Sequence, residues 1–429
     1  MRRAATDSPS RCHNGPVTID ANAVEDAAAR LDGVVSRTPL QLNERLSAAT
    51  GAYVWLKRED LQPVRSYKLR GAYNVIAQLD GDQRSSGVVC ASAGNHAQGV
   101  AFACARLGIR GRIYVPATTP RQKRDRIRML GEGRVELIVT GDSYDEAAAA
   151  ARDDAVATAA VIIPAFNHLD TIAGQGTVAA EIVDQFGYAP DALVLPVGGG
   201  GMLAGCLTWL SERHPETTVI GAEPQGAASM MAALAAGHPV ELEQLDTFVD
   251  GAAVRTVGDL THAITAAHSP QLYEVPTGRI CTEMLAMYQN EGIVSEPAGA
   301  LAAAALGLFR PEPESTVVAV VSGGNNDISR YSEIIERSLV YEGRKHYFLV
   351  NFPQEPGALR RFLDEVLGPD DDITHFEYVK RSNRETGPAL VGIELGDPTT
   401  LPELIARLDA SPITFEIVAA DSPFYRFLV

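Results

Sequence analysis

Ala192-Leu193-Val194-Leu195-Pro196-Val197-Gly198-Gly199-Gly200-Gly201-Met202-Leu203-Ala204 decides between two folds. An apolar run of strand length enters four consecutive glycines, and a helix is expected from Met202 to Arg213. Glycines there let a bulky anion approach the backbone, and a helix start offers free N–H groups, so phosphate is the natural guest. One reading is a dinucleotide-binding Rossmann protein. Gly199-x-Gly201-x-x-Ala204 fits that fingerprint, and Glu223 closes the next strand (Val219-Ile220-Gly221-Ala222) about 20 residues on, where the ribose-binding acid belongs. Alone, the window suits NAD as well as any other phosphate ligand. The order of elements weighs against NAD, because such fingerprints usually open their domain and this one follows a long βα region.

Working back toward the N-terminus, Thr171 to Thr177 opens a helix that ends near Phe186. From about residue 70 to 165, strands at Val88–Ala91, Arg112–Val115, Val135–Val139 and Val161–Pro164 alternate with helices. That order implies parallel βα packing. The first of these strands runs into Ser92-Ala93-Gly94-Asn95-His96, with a helix expected over Ala97 to Leu107. This loop is a second anion site at a helix start, or an ordinary turn capped by Ser92 or Asn95. His96 alone reads equally as a structural hydrogen bonder. Arg121, Lys123, Arg124, Arg126 and Arg128 have no interleaved aromatic residues and read as a solvated helix face. Further back lies Pro63-Val64-Arg65-Ser66-Tyr67-Lys68-Leu69-Arg70-Gly71-Ala72-Tyr73. Pro63 and Ser66 suggest a loop ending in an N-cap at Ser66. Leu69, Ala72, Tyr73, Ile76 and Leu79 then recur at helical spacing. Lys68 falls in the first turn, where the helix dipole disfavours a cation and so favours the neutral amine that Schiff-base chemistry needs. The plain alternative is a solvent-facing lysine.

Working forward, Phe248 to Val254 is a glycine-centred loop, and Glu296-Pro297-Ala298-Gly299-Ala300 leads into a helix. A strand over Thr316 to Val321 ends in Ser322-Gly323-Gly324-Asn325, which puts a serine at the usual ligand crevice of a parallel sheet. The formal charge of −17 over 429 residues argues against a nucleic-acid partner. No apolar run reaches membrane-spanning length. Five scattered cysteines (Cys12, Cys90, Cys104, Cys206, Cys281) read as reduced thiols of a cytoplasmic protein. Residues 1–17 are polar and are expected to form a disordered tail.

Taken together, the lysine stretch, Ser92-Ala93-Gly94-Asn95-His96, the tetraglycine loop, Glu296-Pro297-Ala298-Gly299-Ala300 and Ser322-Gly323-Gly324-Asn325 resemble the fold type II pyridoxal phosphate enzymes, the tryptophan synthase β-subunit group. Within that group the chain resembles biosynthetic threonine dehydratase (threonine ammonia-lyase). The resemblance runs in order from about Thr38 to Tyr331. It implies a two-lobed α/β catalytic domain over 18–336, with the small lobe at about 70–165. It also implies that Lys68 holds pyridoxal phosphate as a Schiff base and moves the substrate's α-proton. Gly198, Gly199, Gly200, Gly201 and Met202 would bind the phosphate, with Tyr67 beside the cofactor. Asn95 would meet the ring hydroxyl oxygen and Ser322 the pyridine nitrogen. Ser92, Ala93, Gly94, Asn95 and His96 would receive the substrate. The reaction implied is loss of water and ammonia from L-threonine, with L-serine secondary, giving 2-oxobutanoate for isoleucine synthesis. Serine dehydratase, serine racemase and threonine synthase activities are the alternatives in the same fold. Serine racemase would need a hydroxyl base at position 93, where this chain has only the methyl of Ala93. Those relatives also imply a cation site with an acid at Glu223, but a second acidic ligand falls on Ser229, so no metal is expected.

After a linker at 337–344, strands are expected at His346–Asn351, Ile373–Lys380, Ala389–Leu395 and Thr414–Ala419, with helices through Leu367 and over Leu401–Leu408. The order βαββαβ fits a ferredoxin-like unit over 345–429. It resembles a single ACT-like regulatory domain, which implies inhibition by isoleucine, opposed by valine, at a site that includes Phe352, Glu355, Pro356 and Gly357. An inert dimerisation module fits the same pattern. A homotetramer is implied by resemblance. Deleting the chain after about Ser338 is expected to remove the response to isoleucine and spare activity.

Overall fold

A computed structural model describes residues 19–378, 385–419, 422 and 425. The expected tail at 1–17, Cys12, and the end of the strand expected at Ile373–Lys380 lie outside the described residues. Among the described residues, three sheets organise the chain. The largest has the order Leu40–Leu42, Tyr53–Arg58, Thr316–Val321, Ala192–Pro196, Thr218–Pro224, Gln271–Val275, and only its outermost pair is antiparallel. Its central strands are apolar on both faces, as a covered parallel sheet requires. Val317, Ala319 and Val321 face a core built with helices Thr277–Glu291 and Pro297–Ala305. Val318 and Val320 face the opposite core, built with helices Ala21–Leu31, Leu169–Phe186 and Gly201–Arg213.

A four-stranded parallel sheet forms the second lobe, in the order Val135–Val139, Gly111–Val115, Val88–Ala91, Val161–Ile162. Helices Lys68–Ala77 and Asn95–Leu107 cover one face, and Tyr144–Thr158 covers the other. In sequence this lobe lies between strands Tyr53–Arg58 and Ala192–Pro196 of the large sheet. The arginine-rich helix Arg121–Gly131 buries only Ile127 and Gly131, in keeping with a solvated face.

The third sheet is antiparallel, in the order Asp372–Tyr378, Thr386–Glu394, Lys345–Pro353, Thr414–Val418. With helices Ala358–Glu365 and Leu401–Ala410 it makes the expected βαββαβ unit around Phe348, Phe362, Leu404 and Leu408.

Two expectations need correction. Ser66 is not an N-cap: the helix starts at Lys68 with Tyr67 as its cap residue, and no side chain caps it. Ser66 instead forms a backbone bridge with Gly323, so its conformation is set by a distant strand end. Residues 337–341 are not linker. They finish helix Tyr331–Tyr341, in which Ile334 and Ser338 are buried and Ser338 Oγ meets Thr282 Oγ1 at 2.9 Å. The connection to the third sheet is then 342–344. The four described cysteines are free and buried. Among the described residues, no helix is long and apolar enough to cross a membrane.

Candidate active site

Lys68 is tied to the serine-bearing strand end by its own backbone. Tyr67 N–H donates to Ser322 O at 3.1 Å, and Gly324 N–H donates to Arg65 O at 2.9 Å. Arg65 takes φ +56°, a left-handed conformation that lets the chain turn into this bridge. The Lys68 amine reaches Ala165 O at 3.4 Å, and among the described residues no carboxylate pairs with it. Behind it, in the same helix, the buried Arg70 guanidinium grips Glu59 through two bonds of 2.8 Å and Glu181 at 2.8 Å. Glu181 also pairs with the buried Lys57. Two cations thus face two carboxylates, which keeps the buried group near neutral.

The glycine loop faces Lys68 across Ala165 and Phe166. Ala165 O also accepts from Gln175 Nε2 at 3.0 Å. A Cβ on Gly199 would fall 2.3 Å from the Phe166 ring, and one on Gly201 would fall 2.3 Å from Gln175 Oε1. A Cβ on Gly198 would come within 2.9 Å of the Ala252 backbone. Gly200 takes φ +85° as the cap residue of helix Gly201–Arg213. Only glycine suits this run, and the free N–H groups of the helix start make it an anion cradle. Among the described residues, Gln175 Oε1 and Ser66 Oγ are buried with no partner, so the surroundings hold unspent polar atoms. The donor set and the side-chain-free backbone fit a phosphate, and the nearby amine fits its aldehyde-bearing ring.

The second loop presents its N-terminus to the same crevice. Gly94 N–H donates to Ser92 Oγ at 3.3 Å, and the helix begins at Asn95, two residues earlier than expected. A Cβ on Gly99 of this helix would meet the Leu69 backbone at 3.1 Å, so the Asn95 and Lys68 helices pack almost backbone to backbone. His96 is committed elsewhere: its buried ring meets Ile163 O through Nε2 at 2.7 Å. Burial pushes its pKa down to about 4, which disfavours a positive charge on the ring. Ser322 Oγ is buried and donates to Ala298 O at 3.1 Å.

Asn95 exposes what sequence reasoning missed. Its Nδ2 donates to Glu296 Oε1 at 2.6 Å, and its Oδ1 accepts from Asn325 Nδ2 at 2.7 Å. Both partners stand in motifs visible in the chain, yet nothing in their spacing announces contact with Asn95.

Glu223 removes the ground for the dinucleotide reading. It lies in strand Thr218–Pro224 and accepts from Met230 N–H at 2.7 Å and Met231 N–H at 2.8 Å, capping helix Ser229–Ala236. Its oxygens serve a helix start rather than a ribose.

The four residues expected to receive effectors also converge. Phe352, Glu355, Pro356 and Gly357 line a cavity of about 290 Å³ together with Leu359, Phe376 and Tyr378.

Fold and site define the class, the pyridoxal-phosphate dependent enzymes, whose family profile matches residues 31–323. A second profile, described as the C-terminal regulatory domain of threonine dehydratase, matches residues 336–428. Over 432 residues the chain is 60% identical to L-threonine dehydratase biosynthetic IlvA of Mycobacterium tuberculosis, covering 100% of each. It is 54% identical over 426 residues to the protein of that name from Corynebacterium glutamicum, covering 98% of each. The chain belongs to the biosynthetic L-threonine dehydratase family. Among solved structures, the processed threonine deaminase isoform 2 of Solanum lycopersicum matches with TM-score 0.70 and 37% identity, covering 76% of this chain and 96% of that one. Maize serine racemase matches with TM-score 0.69 and 30% identity, covering 75% and 98%.

Proposed function

We propose that this chain removes water and ammonia from L-threonine to give 2-oxobutanoate, the entry step of isoleucine synthesis, with pyridoxal phosphate held on Lys68. The observation that carries this reading is the convergence of the Lys68 amine and the glycine loop on Ala165–Phe166. When bound, the cofactor supplies the electron sink that makes the substrate's α-proton acidic. The protein's residues do the rest. Gly198 to Met202 would hold the phosphoryl end through backbone N–H groups, with Tyr67 alongside. Ser92, Gly94, Asn95 and the backbone of His96 receive the substrate carboxylate, which places the α-carbon within reach of Lys68. Lys68 then moves the α-proton from one face. Ala93 puts no base on the other, which favours elimination over racemisation. Ser322 would present a neutral hydroxyl to the pyridine nitrogen, its proton turning from Ala298 O to make that bond. A hydroxyl there would not force that nitrogen to carry a proton, which would favour loss of the β-hydroxyl over transamination.

The cavity at Phe352, Glu355, Pro356 and Gly357 suits a small branched amino acid. It has aromatic walls for the side chain, and Glu355, which pairs with Arg361, stands at its polar edge. Isoleucine is assigned there as inhibitor and valine as its opponent, in a cytoplasmic homotetramer. Adding L-threonine to the cofactor-loaded protein should release 2-oxobutanoate and ammonia faster than L-serine releases pyruvate. Conversion of L-serine mainly to D-serine would contradict the proposal.

A further inference from the structure

Asn95 is clamped at both ends of its amide. Asn325 Nδ2 donates to Val64 O at 2.9 Å and to Asn95 Oδ1 at 2.7 Å, which uses both of its N–H bonds. That leaves Asn95 only one orientation, with its nitrogen toward Glu296. Glu296 precedes Pro297 at the start of helix Pro297–Ala305, yet its side chain does not cap that helix. It turns toward Asn95, the only side chain hydrogen-bonded to it among the described residues. The turn needs space that glycine provides: a Cβ on Gly323 would lie 2.2 Å from Glu296 Oε1. Glu296 is 5% exposed and, among the described residues, has no paired cation, an arrangement costly to keep for stability alone. Burial, with Asp250 adding to it and Lys123 and Arg65 opposing, pushes its pKa up to about 7. Protonated or not, it keeps an acceptor oxygen for Asn95.

We propose that Glu296, together with Asn325, is a positioning residue for the known reaction, holding the Asn95 amide so that its one remaining N–H points at the cofactor's ring hydroxyl oxygen. The inference rests on the cofactor reading given above. Without the clamp the amide is free to turn over. It would then set oxygen against oxygen and disturb the ring's electronics.

The test compares the wild type with Glu296→Gln, Glu296→Ala and Asn325→Ala, each loaded with pyridoxal phosphate. Visible absorption and fluorescence of the bound cofactor are recorded, with kcat, KM and the melting temperature of the cofactor-stripped proteins. Glu296→Gln keeps an acceptor oxygen and should stay within about threefold of the wild-type kcat with an unshifted band. Both alanine variants should shift the balance of the visible bands and lose at least tenfold in kcat with KM little changed. Alanine variants that melt cooperatively and keep the wild-type spectrum would overturn the proposal, as would a Glu296→Gln protein as impaired as Glu296→Ala. Should Glu296→Ala fail to fold, Asn325→Ala carries the same comparison. A wild type with no visible band would instead refute the underlying cofactor reading.

Discussion

Glu223 stands where a dinucleotide fold would put its ribose acid, and its burial sets up a measurable linkage. Burial pushes its pKa from 4.5 up to about 7, with Glu274 adding to the rise and the two backbone N–H bonds opposing it. A carboxyl raised on folding contributes stability that is present below its unfolded pKa and lost as pH climbs through the folded value. We therefore expect Glu223→Gln to gain on the wild type in melting temperature between pH 4.5 and 7. The full effect is on the order of 3 kcal/mol, at about 1.4 kcal/mol per pKa unit. A difference that stays flat with pH would refute this. The same residue shows why single side chains were the least legible part of the chain. Charged letters in a sequence are read as solvated, so Arg70, Glu59 and Lys57 gave no sign of sharing a buried cluster. Glu296 and Asn325 lie far from Asn95 in sequence, and only the fold brings them to it. By contrast, the run Gly198 to Gly201 was legible as a tight helix start, because close backbone contacts and a positive φ restrict which residues can stand there.

At the scale of elements, periodicity carried most of the fold. Alternating strands and helices gave the parallel small lobe, and βαββαβ spacing gave the antiparallel third sheet. The start of the Lys68 helix was misplaced at Ser66 because its cue was local, whereas the bridge to Gly323 is long-range. Close helix packing around the site is also written in glycines, but only the structure gives their partners. A Cβ on Gly205 would lie 2.2 Å from Ile172 O, between helices Leu169–Phe186 and Gly201–Arg213. That contact is with rigid backbone, so the helices themselves must move. Gly205→Ala should lower unfolding stability by about 1–3 kcal/mol. Because Gly205 follows the phosphate cradle by one helical turn, cofactor affinity should fall with it. Equilibrium denaturation checks the first, and cofactor titration the second. A fully stable variant with unchanged affinity would contradict the packing.

Across the whole molecule, helix Tyr331–Tyr341 joins catalysis to regulation. It packs on helix Thr277–Glu291, while its Glu336 meets Lys345 and accepts from Tyr347 Oη at 2.8 Å on the third sheet. Arg330 and Arg337 of this segment lie over the Phe248 ring at 4.6 and 4.4 Å. The cut expected at Ser338 therefore falls inside a packed helix. A chain ending at Gly343 should keep threonine deamination within a few-fold and lose its response to isoleucine. One ending at Ser338 should also lose stability, visible as a lower melting temperature. Undiminished inhibition of the Gly343 chain would refute the regulatory assignment. An amine of one lobe and a glycine cradle of the other are proposed to hold a single cofactor between them. The decisive measurement is the visible absorption spectrum of the protein loaded with pyridoxal phosphate. A Schiff-base band should be present, change on addition of L-threonine, and be missing from Lys68→Ala. A band that persists in Lys68→Ala, or a wild type with none, would contradict this arrangement.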